Sequence, residues 1–241
     1  MSSDLFSHLD ELRKRIFVCL IAFSVTTLIS CFFSKNILDF LTWPLQHYTR
    51  TALYFQQPHE AFFVSIQAAA FSGFLFSLPV ILTQIWKFFS PALYGHERKW
   101  FFPVVLTSIL LFFVGAIFSY TLVIPFGLQF LLSFQTESLK PILDVGSYIS
   151  FLTGMLLAFG ILFDFPVILV GLVKLGIVSS KTLAKSRRMA IVLIFIAAAV
   201  LTPSPDPFSQ CLLAFPLVIL FEISLFIASR IEISRDEANK S

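Results

Sequence analysis

Apolar residues run along this chain in long blocks separated by short polar stretches, and these blocks, with no sustained alternation, set the pattern. Blocks of spanning or near-spanning length cover 16–33, 68–86, 101–124 and 149–171, against about 20 residues for a helix that crosses a bilayer. A shorter block, 189–202, ends at Thr202-Pro203-Ser204-Pro205-Asp206-Pro207, where the prolines force a turn, and a last block covers 208–228. The short block would rise only about 21 Å against a hydrocarbon core of about 30 Å, so the final hairpin is expected to tilt, oligomerise or thin the bilayer. The first block is longer than a signal-peptide core of about 7 to 15 residues and no small-residue cleavage pattern follows it, so it is expected to stay in the membrane. The pattern predicts an all-α integral membrane protein of six transmembrane helices, the last two short, forming a single membrane domain over 1–241.

Composition removes the soluble alternative. Of 241 residues 57% are hydrophobic and 13% charged, where a soluble domain carries about 25% charged residues. Thirty-one are Phe, and the mean hydropathy is +0.89. The net charge of +3 comes from short basic runs beside apolar blocks and forms no continuous basic face, so no nucleic-acid partner is expected. Those runs orient the chain: with the N terminus inside, 14 of the 17 Lys and Arg fall in cytoplasmic segments, and only Lys35, Arg50 and Lys140 lie outside. Both termini are therefore expected to be cytoplasmic. Cys19, Cys31 and Cys211 are odd in number and far apart, with neither a disulfide framework nor a metal spacing, and read as small hydrophobes. No cofactor or metal is expected, and no internal repeat is visible.

Two cytoplasmic segments carry candidate chemistry. His8-Leu9-Asp10-Glu11-Leu12-Arg13-Lys14-Arg15 runs into the first block with Leu9, Leu12 and Ile16 on one helical face and Glu11 and Arg15 spaced i, i+4. By itself this reads as a juxtamembrane amphipathic helix whose basic residues set topology. After the second block, Phe88-Phe89-Ser90-Pro91-Ala92-Leu93-Tyr94-Gly95-His96-Glu97-Arg98 places Glu97 on the same side as Glu11. With Pro44, Ala158-Phe159-Gly160, Leu201-Thr202-Pro203, Asp206, Phe208-Ser209-Gln210 and Leu220-Phe221-Glu222-Ile223 in this order on six spans, the chain resembles the TatC family, the multispanning receptor subunit of the twin-arginine protein translocase.

That resemblance covers nearly the whole chain. It implies a concave, glove-like bundle in the cytoplasmic (inner) membrane that binds the twin-arginine signal peptides of folded cargo. It also implies assembly with single-span TatA and TatB partners, oligomers of TatC-containing complexes, and export driven by the proton motive force. Guanidinium pairs are well recognised by carboxylates through charge-assisted, often bidentate hydrogen bonds. The resemblance accordingly assigns Glu11 and Glu97 to the signal-peptide site, with Leu9 and Arg13 in the same segment and Phe88 and Pro91 shaping the loop. Arg13 and Arg15 repel a cationic ligand and are expected to order the acids and anchor the helix end. Pro44 and Asp206 are assigned to the structure of the outer loops.

Asp164 lies within the fourth block, where an ionised group costs about 2.5 to 3.5 kcal/mol, so it needs water, a partner or a proton. The family commonly has Glu here, facing the hollow and available to polar groups of partner helices; Asp shortens the reach. Thr202 and Gln210 flank the short outer turn where the family docks TatB or TatA helices, and both can hydrogen-bond across helices. Ser204 adds one residue to the family's Thr-Pro-Pro-Asp turn. Glu222 reads equally as structural. Ser186-Arg187-Arg188 is mid-chain and reads as a positive-inside cluster. Catalysis is not expected, because no nucleophile elbow, HExxH or CxxC motif is present. The rival function is a proton-coupled small-solute transporter using Asp164 and Glu222. A passive assembly scaffold is a third reading.

Overall fold

The structure, a computed structural model, describes residues 2–49, 53–89, 101–133, 143–174, 176–201 and 207–238. The first apolar block and the motif before it form one helix, α1 (Ser2–Cys31), since residues 8–15 are rich in Leu, Glu, Lys and Arg and contain no Gly or Pro. After a turn come α2 (Ser34–Thr49), a two-residue strand β1 (Leu53–Tyr54) and α3 (Glu60–Phe89). α4 (Phe101–Phe118) runs through a π turn (Ser119–Val123) into α5 (Ile124–Leu132). Pro125 explains the wide turn: it has no N–H for the Thr121 carbonyl and its ring crowds that oxygen. β2 (Leu143–Asp144) pairs in parallel with β1, Leu53 opposite Leu143 and Tyr54 opposite Asp144.

The remaining elements are α6 (Val145–Phe163), α7 (Phe165–Lys174), α8 (Ser180–Lys185), α9 (Arg187–Leu201) and α10 (Pro207–Ala238). Five helical runs are long and apolar enough to cross a membrane: Leu9–Cys31, Glu60–Phe88, Phe102–Phe130, Val145–Lys174 and Leu213–Glu232. α9, with 15 residues, is shorter than these, in keeping with the short block that the sequence predicts. Several block edges move. The third run continues past 124 because the π turn does not break the helix, and the fourth begins at Val145 and is interrupted at Asp164. The last helix extends beyond 228 to Ala238 as charged residues carry it out of the apolar zone.

The chain forms two compact units, 1–109 with 124–154 and 110–123 with 155–241. In the first, α1 packs on α3 along a narrow seam. Thr26 Oγ1 donates to the Gly73 carbonyl at 2.7 Å. A Cβ on Gly73 would lie 2.6 Å from the Thr27 Cα, so only glycine allows this approach. The rest of α1 faces outward, with 6% of its apolar window buried. Leu41, Pro44 and Leu45 of α2 are fully buried, and the Tyr148 hydroxyl donates to the Leu41 carbonyl at 3.1 Å.

In the second unit the rings of Phe118, Phe159 and Phe163 gather with centroids 5.5 to 6.4 Å apart. A Cβ on Gly160 would come within 2.5 Å of the Phe112 ring, and one on Gly115 within 2.5 Å of the Phe159 carbonyl. Glycine thus sets how closely α4 and α6 approach. Leu169, Phe221 and Leu225 form a further apolar cluster, covered by Leu183, Ala190 and Ile194.

Candidate functional site

The i, i+4 spacing at the start of α1 closes as an ion pair, with Arg15 donating to Glu11 Oε1 from both Nη2 and Nε. Glu11 remains one-third exposed. Leu9, Leu12 and Ile16, the apolar stripe read from the sequence, are exposed, while Arg13 lies 5.8 Å from the Phe17 ring centroid and so has its stem along α1. From the seam at Thr27 and Gly73, Glu11 lies about 24 Å along α1 and Phe88 about 22 Å along α3. Phe88 is half-buried. There Trp86 Nε1 donates to Ser108 Oγ at 3.1 Å, joining the end of α3 to α4. Pro91 and Glu97 lie outside the described residues.

Asp164 occupies the break between α6 and α7. Pro166 accounts for that break, because it has no N–H to donate to the Leu162 carbonyl and its ring crowds that oxygen. The Asp164 N–H turns back to the Ile161 carbonyl at 3.1 Å, and its own carbonyl accepts from Val167 and Ile168. The side chain is buried, and Oδ1 has no hydrogen-bond partner among the described residues. A buried carboxyl oxygen without a partner in an apolar span calls for a proton or an external donor.

Gln210 Nε2 donates to the Phe195 carbonyl at 2.9 Å, which ties α10 to α9. Thr202 and Asp206 lie outside the described residues. Glu222 is ion-paired with Arg187 at 3.3 Å, so the cluster read as a topology signal also supplies a partner for the acid in the last span. Among the described residues no group of three or more His, Cys, Asp or Glu converges to hold a metal, and Cys19, Cys31 and Cys211 are unbridged.

One polar constellation was not foreseen. Glu60, at the start of α3, accepts from the Gln56 N–H at 2.7 Å with Oε2 and from the Gly146 N–H at 3.0 Å with Oε1. Asp144 Oδ2 accepts from the Ser147 N–H at 2.8 Å. The Glu60 carboxyl beside it, followed by Ser147, holds the Asp144 carboxyl below the usual carboxylate range. These two acids clasp the starts of α3 and α6 beside the β1–β2 pair. The Asp-x-x-Ser spacing before an apolar block is the signal that could have revealed the cap at α6; the Glu60 bond to Gly146 crosses 86 residues and has no local signature.

The profile of the family described as Sec-independent protein translocase protein (TatC) matches residues 7–216. The chain belongs to the TatC family. It is 38% identical over 235 residues to the Sec-independent protein translocase protein TatC of Magnetococcus marinus, covering 97% of this chain and 86% of that protein. The TatC of Aquifex aeolicus is 39% identical over 240 residues, covering 98% of this chain and 99% of its own. That of Escherichia coli (strain K12) is 39% identical over 229 residues, covering 93% and 87%. Among solved structures, one described as the crystal structure of the twin-arginine translocase receptor TatC superposes with a TM-score of 0.82 at 39% identity, covering 93% of this chain and 99% of that one. TatC proteins are translocase components, and with its five long apolar runs this chain is a multi-pass integral membrane protein. The transporter reading finds no support in these likenesses, and Glu222, one half of its relay, is paired with Arg187.

Proposed function

We propose that this chain is the signal-peptide receptor subunit of a twin-arginine translocase in the cytoplasmic (inner) membrane, acting as a single membrane domain with both termini cytoplasmic. The observation that carries this is an acid, Glu11, fixed by Arg15 on the otherwise exposed start of α1, in a TatC chain matched over almost its whole length. Glu11 and Glu97 accept the paired guanidinium groups of the signal peptide. Phe88 and Pro91 shape the loop that carries Glu97, Leu9 offers apolar surface to the peptide, and Arg13 anchors the helix. Binding is electrostatic and reversible, and no covalent chemistry is required of the chain.

Asp164, Thr202 and Gln210 serve single-span partners of the TatA and TatB type. Asp164 supplies a carboxyl to a polar group on a partner helix or takes a proton. Pro44 and Asp206 hold the outer loops, and complexes containing this chain oligomerise during export driven by the proton motive force. Site-specific crosslinking of Arg-Arg and Lys-Lys signal peptides to the chain in membranes tests the receptor reading. Strong crosslinks to the Arg-Arg peptide and weak ones to the Lys-Lys peptide are expected; equal crosslinking, or none, rejects it.

A further inference from the structure

α10 serves as a ruler for the chain segment packed along it. Ser180 N–H donates to Glu232 Oε2 at 2.6 Å, Arg187 pairs with Glu222 at 3.3 Å, and Gln210 meets the Phe195 carbonyl at 2.9 Å. The contacts descend α10 in order, so α9 runs antiparallel to it and the chain drops by about 15 Å between Ser180 and Arg187. Arg187 and Arg188 therefore open α9 level with Glu222, about 15 Å along α10 from Glu232. α9 itself has 15 residues, about 22 Å of helix for about 30 Å of hydrocarbon.

The side chains at this elbow are basic and lie beside apolar helix faces. Lys181, Lys185, Arg187 and Arg188 are all exposed, and no acid lies among residues 181–188. Glu222 engages Arg187, whereas Lys185 and Arg188 have no ion pair or hydrogen bond among the described residues. Leu183 turns inward onto the Leu169, Phe221 and Leu225 cluster, which leaves the basic side of α8 outward. Below Arg188, Val192 and Ile196 follow at every fourth residue and are exposed, making an apolar strip beneath the charge.

We propose that the elbow between α8 and α9 binds the headgroup of an anionic phospholipid, its phosphate held by Lys185 and Arg188 and one acyl chain lying along Val192 and Ile196. An exposed guanidinium at the head of an apolar helix favours an anion, and phosphate takes its paired N–H groups in bidentate fashion. The charge is complementary, and a headgroup drawn inward also matches the bilayer to a short helix. Which leaflet supplies the lipid rests on the orientation proposed above; the binding itself does not.

The test uses the purified full-length chain in neutral detergent, titrated with phosphatidylglycerol or with phosphatidylcholine of the same acyl composition, and bound lipid is counted by native mass spectrometry. Wild type is expected to retain one phosphatidylglycerol in preference to phosphatidylcholine. The double variant Lys185→Gln, Arg188→Gln is expected to bind phosphatidylglycerol about 30-fold more weakly, while Lys35→Gln, which removes a charge from α2, leaves binding unchanged. Arg188→Lys keeps the charge and should retain most of the affinity. If the double variant does not fold, Lys185→Gln alone should weaken binding about fivefold. Equal retention of phosphatidylglycerol by wild type and a folded Gln variant overturns the proposal, as does displacement of the lipid by millimolar inorganic phosphate, which would assign the site to the free ion. Signal-peptide crosslinking on the same preparations reports the receptor function separately.

Discussion

Glu11 sits at the outer edge of a helix that touches protein along one strip, and its pairing with Arg15 helps to hold it there. Glu11→Gln and Glu97→Gln each remove one charge-assisted acceptor, worth about 1.5 to 3 kcal/mol or roughly 10- to 150-fold in affinity. Glu11 is partly hydrated, which places Glu11→Gln at the low end. Titration of a twin-arginine peptide against both single variants and the double variant measures this, and unchanged affinity in all three removes these acids from the site. Asp164 is a different case, because its buried Oδ1 lacks a partner among the described residues. Asp164→Glu should preserve partner association and export, whereas Asp164→Leu should impair both and leave peptide binding intact. Asp164→Asn keeps hydrogen bonding without ionisation, so its export rate of a folded reporter separates a proton role from a partner contact. Normal assembly and export in Asp164→Leu would make this residue structural.

At the scale of elements, two close approaches and one clasp govern how the helices meet. Gly73→Ala would place a methyl group against the Thr27 backbone and force α1 away from α3, costing about 1 to 3 kcal/mol by overpacking. Lower thermal stability together with weaker peptide binding is expected, because the helix bearing Glu11 is displaced. Gly160→Ala would drive a methyl group into the fully buried Phe112 ring, so it too should lower thermal stability by overpacking. In the clasp, Glu60→Ala leaves the part-buried Gly146 N–H without its acceptor and the exposed Gln56 N–H to water, a loss of about 1 to 3 kcal/mol that thermal unfolding in detergent would register. Asp144 has a lowered folded pKa, so its contribution is present above the ordinary carboxylate value and is lost as pH falls through the lowered one. Wild-type stability should therefore fall below about pH 4 more steeply than that of Asp144→Asn.

For the whole chain, topology is the decisive measurement. After Cys19, Cys31 and Cys211 are replaced by Ser, single cysteines at Tyr48, Ser138 and Pro205 should label from outside and those at His96 and Lys181 from inside; the reverse pattern would put Glu11 and Glu97 on the wrong side of the membrane for a cytoplasmic ligand. Much of this architecture was legible because bilayer-crossing helices must satisfy their backbones internally, so apolar length alone reports them. The extended start of α1, the shortness of α9 and the spacing of Glu11 and Arg15 follow from local sequence. Contacts made at a distance along the chain were not legible. Nothing near Glu222 names Arg187 as its partner, and nothing near Gly73 announces that α1 will rest on it. The break at Asp164 was half-readable, since Pro166 marks it but does not say that the carboxyl will be left without a partner.

The π turn at Ser119–Val123 shifts the phase of a continuous helix. It lies where the chain leaves the unit containing 110–123 for the one containing 124–154. Its wide loop absorbs a residue that an α-helical ladder would not, which keeps α5 in phase with its contacts; inserting one further residue there would swing α5 by about 100°. Ile124 and Leu128, now buried, would rotate off their contacts and exposed Phe126 would be carried with them. A one-residue insertion in this turn should therefore damage the protein more than any single substitution within it, because it re-registers every side chain of α5 at once.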